Sequence, residues 1–431
     1  MKRGFLAFMQ LLAVGPILLA GSAVAQAQAQ TAGMSWAAIT APVDLPSDTV
    51  AARLIDADPT VTRARRELAA ARERASMLET GPHEWTAKAM AQRRSYRSGD
   101  ASTQDWQAGV ERSVRIGGKA GIDRRIGEAL VREGEARVGE ARHESARTLL
   151  QGWMDWLAAE HTQRLWQDQL GVAESNLKAA SSRRKAGDAS MLEQNAARAD
   201  LAEVQRQAAN AATDLAKARA RLAARFPGVE LAPPATLSEP LPLDRDAAAW
   251  RERIVSESDS LRMAEHAMQR AVATADRAKA DRTADPTIGV HAGYEASRAE
   301  RVVGISLSIP LGGTYRAAQS REALQQADAA RDALEAERRE LEMEIAGALA
   351  EAGGGIERWK AAEAALAASS ENARLSQRAY ALGEGDIQGV LLARRQSLDA
   401  ALGALQARID ALRARYRLWV DAHLIWKLAE D

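Results

Sequence analysis

The chain has 431 residues, no formal net charge, 27% charged residues, 4% aromatics and no cysteine. Lack of cysteine rules out disulfides, thiolate metal sites and an acylated lipoprotein cysteine; the even charge balance offers no basic field for nucleic acid. Ala, Arg, Glu, Leu and Gln dominate, the composition of long packed helices rather than of two or three ordinary domains.

Met1-Lys2-Arg3, an apolar run from Phe5 to Leu19 and small residues up to Ala25 and Ala27 read as a secretory signal peptide over 1–27, cleaved after Ala25 or Ala27. No later apolar run is long enough for a transmembrane helix, so membrane entry would require strands. Residues 28–47, small, polar and Pro-containing, read as an extended N-terminal arm. The first of two structural repeats covers 48–226. Asp48 caps a helix expected to run to about Leu78, ended by Gly81-Pro82.

From His83 the period changes to that of strands. Strands are expected over about 83–97 and 104–116, around the turn Ser98-Gly99-Asp100, with Trp85, Ala87, Ala89, Ala91, Trp106, Ala108, Val110, Val114 and Ile116 on one apolar face. Arg112 falls in that apolar register and breaks the pattern. Gly117-Gly118 ends the hairpin, and a helix of more than sixty residues follows to about Lys185. It reverses at 186–190 and returns from Met191 to about Phe226. A Pro-rich linker occupies 227–243.

The second repeat, 244–431, gives the same order: a helix over about 244–280, strands over about 287–296 and 301–311, a long helix from about Tyr315 to Leu382 interrupted at Gly353-Gly354-Gly355, a reversal at 383–386, and a helix to about Leu428. Its second strand alternates cleanly, with Val303, Ile305, Leu307, Ile309 and Leu311 on one side and Gly304, Ser306 and Ser308 on the other. In the first strand His291 falls on the polar side. Each strand is about ten residues, enough to cross a bilayer when tilted. Four strands leave two open edges, which hydrocarbon does not tolerate; closure by three chains would give a twelve-stranded barrel.

No catalytic constellation is present: no G-x-S-x-G, P-loop or H-E-x-x-H. The histidines (His83, His143, His161, His266, His291, His423) show no metal-ligand spacing. The sequence therefore predicts no enzyme, cofactor or metal site.

Gly304-Ile305-Ser306-Leu307-Ser308-Ile309-Pro310-Leu311-Gly312-Gly313 echoes Gly109 to Gly118. With Tyr380-x-x-Gly383 followed by Val390-Leu391-x-Ala393, and Gly187 followed by Asn195-Ala196-Ala197-Arg198-Ala199, it gives the chain a resemblance to the TolC-type outer membrane factors. That resemblance covers essentially the whole mature chain. It implies a mainly α fold with a small β part: a homotrimer whose twelve-stranded barrel sits in the outer membrane and continues into the periplasm as an α-helical barrel. It also implies docking to a periplasmic adaptor and an inner-membrane RND-type pump, as a passive efflux conduit. The compact length and the Ile309–Gly313 turn place it nearest the CzcC-like branch serving heavy-metal or cation pumps, while drug-efflux and type I secretion members share the architecture.

Carried over by position, the reversals Ala186, Gly187, Asp188, Leu382, Gly383, Glu384 and Gly385 would be the adaptor-docking tips. Glu193 would be the first-half pore or gate carboxylate; Gly385, Gly389 and Leu392 stand where the rest of the family's charged gate network lies, leaving Asp386 or Glu384 as the substitute in the second half. Trp85 and Trp106 would form a barrel aromatic belt. The alternative from another class is a soluble periplasmic coiled-coil interaction protein.

Overall fold

The computed structural model describes residues 36, 38–97, 99 and 102–428. The signal-peptide reading over 1–27, most of the arm and most of the first hairpin turn lie outside them. All the elements below belong to the unit that begins at Ile39.

The expected first helix is two: α1 (Asp48–Asp56) and α2 (Pro59–Thr80). Proline disfavours helical geometry in the residue before it and suits a helix start, and Asp58 caps α2 by accepting from the Thr60 amide at 2.8 Å and its hydroxyl at 2.7 Å. The first hairpin is β1 (Thr86–Ser95) and β2 (Ser102–Ser113). Next come α3 (Lys119–Ala186) and α4 (Met191–Arg225). At 68 residues α3 is about 100 Å long. Its first half packs on α2, where Gly127 lies against Ala75 and Gly134 against Leu68, and its second half packs on α4.

The second repeat also divides its leading helix, into α5 (Ala247–Glu257) and α6 (Asp259–Ala280). Ser258 leaves helical geometry and accepts from the Leu261 amide at 3.2 Å; a single helix over 244–280 overlooked that serine cap. The strands β3 (Thr287–Glu295) and β4 (Glu300–Ser308) lead into α7 (Thr314–Ala381) and α8 (Ile387–Asp421). The expected interruption at Gly353-Gly354-Gly355 does not occur. α7 runs through it, and a Cβ on Gly355 would lie only 3.2 Å from the Ala411 Cα, so this glycine serves close packing of α8 rather than a break.

α8 ends at Asp421, short of the expected Leu428. His423 (φ 54°), Trp426 (φ 64°) and Lys427 (φ 48°) fold the chain back, and Leu424, Ile425, Trp426 and Leu428 are buried. The described part of the arm is not free either. The Ile39 amide donates to Leu424 O at 2.7 Å, and the Trp426 indole donates to Pro46 O at 3.2 Å. Asp44, wholly buried, accepts from the Tyr416 hydroxyl at 2.6 Å and the Ser238 amide at 3.0 Å, while its carbonyl takes the Trp153 indole at 2.6 Å. Burial and that carboxylate push the Tyr416 hydroxyl pKa upward. Arg408 reaches Ser238 O and Leu237 O of the linker at 3.0 and 2.5 Å. Arm, linker and C-terminal segment thus belt the middle of the helices, around a core of Leu149, Met154, Trp156, Leu157, Ile409 and Leu412.

Candidate functional site: the sheet and the helical tips

The two hairpins join edge to edge, giving one sheet in the order β1-β2-β3-β4, antiparallel throughout. β1 and β4 are its edges. Register aligns Ala87, Val110, Val290 and Ile305 in one row, Ala89, Ala108, Ala292 and Val303 in the next, then Ala91, Trp106, Tyr294 and Arg301. This face is apolar and lies open in the single chain: Ile305 is 84% exposed, Val303 72% and Leu307 66%. An exposed apolar surface of this extent marks a face that meets a partner or a membrane.

The opposite face carries Lys88, Asp105, Gln107, Glu111, His291, Ser306 and Ser308. Lys88 pairs with Glu111 at 2.6 Å, and Arg94 with the buried Asp105 at 3.0 Å. Gly109, Gly289, Gly293 and Gly304 also fall on this face, and none on the other. A Cβ on Gly304 would lie 2.6 Å from His291 Nε2, and one on Gly109 2.8 Å from His291 Cβ, so the imidazole occupies space that only glycine leaves open. Glycines confined to this face leave the strands room to bend toward it. The polar side is thereby the side toward which closure is easiest.

Trp85 and Trp106 are both on the apolar face, at its two ends. Trp85 precedes β1 at the helix end and is 66% exposed; Trp106 packs on Tyr294 (ring centroids 5.3 Å) toward the loop end. Arg112, on the same face, lies over the Trp85 ring at 5.7 Å. Where strands pass into helices, Lys119 is 1% exposed and donates to Asp285 and to Thr283 O, each at 2.7 Å. Burial alone would raise the Asp285 pKa, but Lys119, the Ile116 amide and His83 hold it below the usual carboxylate range. Arg115 adds bonds to Leu78 O, Glu79 O and Asp123. Lys119 and Asp285 belong to no motif, and nothing in the sequence marked them as a pair.

At the far ends of the long helices both reversals use one backbone device. Gly187 (φ 86°) and Gly383 (φ 81°) take left-handed geometry. The Asp188 amide donates to Arg183 O at 2.9 Å, and the Glu384 amide to Ala379 O at 2.9 Å. Ala186, Gly187, Asp188, Leu382, Gly383, Glu384 and Gly385 are all exposed. Glu193 and Asp386 each serve a helix start. Ser190 Oγ accepts from the Glu193 amide at 3.1 Å while the Glu193 carboxylate accepts from the Ser190 amide at 3.3 Å, a capping box; Asp386 accepts from the Gly389 amide at 2.6 Å.

Contacts that no motif of the sequence pairs tie one hairpin to the other. The Arg183 guanidinium lies 4.8 Å over the Tyr380 ring, and Arg394 reaches Asp200 and Gln169, each at 3.4 Å. Burial, with the Glu193 charge adding to it, raises the Tyr380 hydroxyl pKa. Among the described residues no three His, Asp or Glu side chains converge as a metal site, and no helix is long and apolar enough to cross a membrane.

The fold matches solved outer membrane channels. OprN shares 18% identity over 92% of this chain and 98% of its own, with a TM-score of 0.74. CmeC of Campylobacter jejuni shares 13%, covering 89% and 87%, with a TM-score of 0.74. MtrE of Neisseria gonorrhoeae shares 20%, covering 89% and 90%, with a TM-score of 0.69. No curated protein matches the sequence. The model of the family described as outer membrane efflux protein matches residues 250–419, from α5 through most of α8. Residues 250–419 are thus similar to the outer membrane efflux protein family, and about nine-tenths of the chain shares the fold of solved outer membrane channels.

Proposed function

We propose that three copies of this chain close a twelve-stranded barrel around the polar face of the sheet and continue it as a helical duct through the periplasm. The chain would reach that location after removal of residues 1–27. The observation that carries the reading is an open sheet, apolar on one face and glycine-relieved on the other, with both edge strands unpaired. In hydrocarbon each unpaired backbone group costs several kcal/mol, so the edges find partners on sister subunits. A soluble periplasmic coiled-coil protein leaves this exposed apolar face unaccounted for.

In this reading the conduit is passive. The glycine tips around Gly187 and Gly383 dock to a periplasmic adaptor, and the duct opens when the hairpins part at Arg183–Tyr380 and Arg394–Asp200. Glu193 and Asp386 ring the mouth as helix caps, Trp85 and Trp106 lie at the two bilayer interfaces, and an RND-type pump of the inner membrane supplies the energy. The short chain and the Ile309–Gly313 turn favour heavy-metal cations as cargo over drugs or secreted proteins. The test is fractionation followed by electrophoresis of heated and unheated samples, then conductance in planar bilayers. Recovery as a heat-modifiable outer membrane oligomer that forms water-filled pores supports the proposal; a monomer without conductance overturns it.

A further inference from the structure

Arg112 lies where the alternation of β2 calls for an apolar side chain. Its neighbours on the same face are Val110 and Val114 along the strand, and Ile288 and then Leu307 across it. Glu111, the adjacent carboxylate, points to the opposite face and is engaged by Lys88 at 2.6 Å. The Arg112 Nε donates to His83 O at 2.8 Å, and its guanidinium plane lies against Trp85. That acceptor is itself fixed, because His83 Nε2 lies 3.3 Å from Asp285, which is held by the buried Lys119. Among the described residues the two terminal nitrogens have no hydrogen-bond or ion-pair partner. The protein thus presents a positioned guanidinium, with its charge unpaired, beside an exposed indole, at the end of the apolar face nearest the helices.

We infer that Arg112 and Trp85 form a binding site for the phosphate of an inner-leaflet glycerophospholipid. This rests on the proposal that the apolar face meets lipid. A planar guanidinium with two parallel N–H groups free matches two phosphate oxygens; an amphipathic indole beside it suits the headgroup level of a bilayer. The helices extend from this end of the sheet toward the periplasm, so the leaflet is the inner one, built of phospholipid.

The experiment is native mass spectrometry of the full-length oligomer, equilibrated with phosphatidylglycerol or with diacylglycerol of the same chains. The wild type is expected to retain phosphatidylglycerol and release diacylglycerol. Arg112→Gln lowers phosphatidylglycerol retention by about tenfold, the factor that one charge-assisted contact represents, while Arg112→Lys keeps part of it. Retention unchanged in Arg112→Gln overturns the site. A photo-crosslinker at Ile305, remote from Arg112 on the same face, separates the two ideas. Labelling of lipid there with no Arg112 effect rejects only this inference; absence of labelling rejects the lipid-facing sheet itself.

Discussion

The sheet and the helical belt bury opposite kinds of residue. In the belt, Trp156, Trp250 and Trp426 are almost entirely enclosed, and the polar groups that remain inside, such as Asp44, are met by tyrosine, tryptophan and backbone donors. In the sheet the relation is inverted. Trp85 and Trp106 face outward with the valines and isoleucines, while glycine, histidine and charged pairs occupy the opposite face. One chain therefore follows two solvent rules. The belt answers to water outside; in the proposed barrel the sheet answers to hydrocarbon outside and water within.

The largest expected effect falls in the belt. Trp156→Ala should cost about 3–5 kcal/mol through the cavity it leaves, read as faster native-state hydrogen exchange from Leu149 to Leu157. Trp85→Ala should leave those amides unchanged. If the two substitutions prove equally mild, the contrast between regions is wrong. The next effect distinguishes the two faces of a single strand. Ile305→Arg should lower folding stability in a bilayer by about 2–4 kcal/mol, as charges on the lipid face of a barrel do, whereas Ser306→Arg, one residue along on the polar face, should insert normally. Equal insertion of both, measured by recovery of folded protein from lipid vesicles, would place the apolar face against something other than lipid.

Much of this was legible in the sequence because it is periodic. Two-residue alternation set Ile305 and Ser306 on opposite faces, and the glycines of Gly187 and Gly383 marked the reversals. The misreadings have local causes. Asp58-Pro59 and Ser258 are caps inside stretches whose apolar spacing stays helical, so periodicity hid the breaks. Gly353-Gly354-Gly355 looked like an interruption, but helix packing against Ala411 overrides the weak propensity of glycine. The belt contacts of Asp44, and the pairs Lys119–Asp285 and Arg183–Tyr380, join positions far apart in the chain. No local pattern encodes them. Position along the helix nominates Glu193, and Asp386 only as a substitute for Gly389 and Leu392; the hydrogen bonds of both are those of caps.

The smallest effect is a pH dependence confined to the belt. Asp421 is 5% exposed, and burial alone would raise its pKa; His143 at 3.2 Å and Arg147 at 2.8 Å reverse this and hold it at about 2. A carboxyl whose folded pKa is depressed stabilises the fold above its unfolded value. That contribution is lost as pH falls through the folded one, so the window lies between about pH 4 and pH 2 and the loss is about 2 kcal/mol. Hydrogen exchange should therefore show amides of Ala414 to Val420 losing protection across this window. The central rows of β3 and β4, from Gly289 to Gly293 and Val302 to Leu307, contain no carboxylate and should keep theirs. In Asp421→Asn the belt should start less protected at neutral pH and lose the acid step. A variant that reproduces the parent's acid profile would mean that the step belongs to another group.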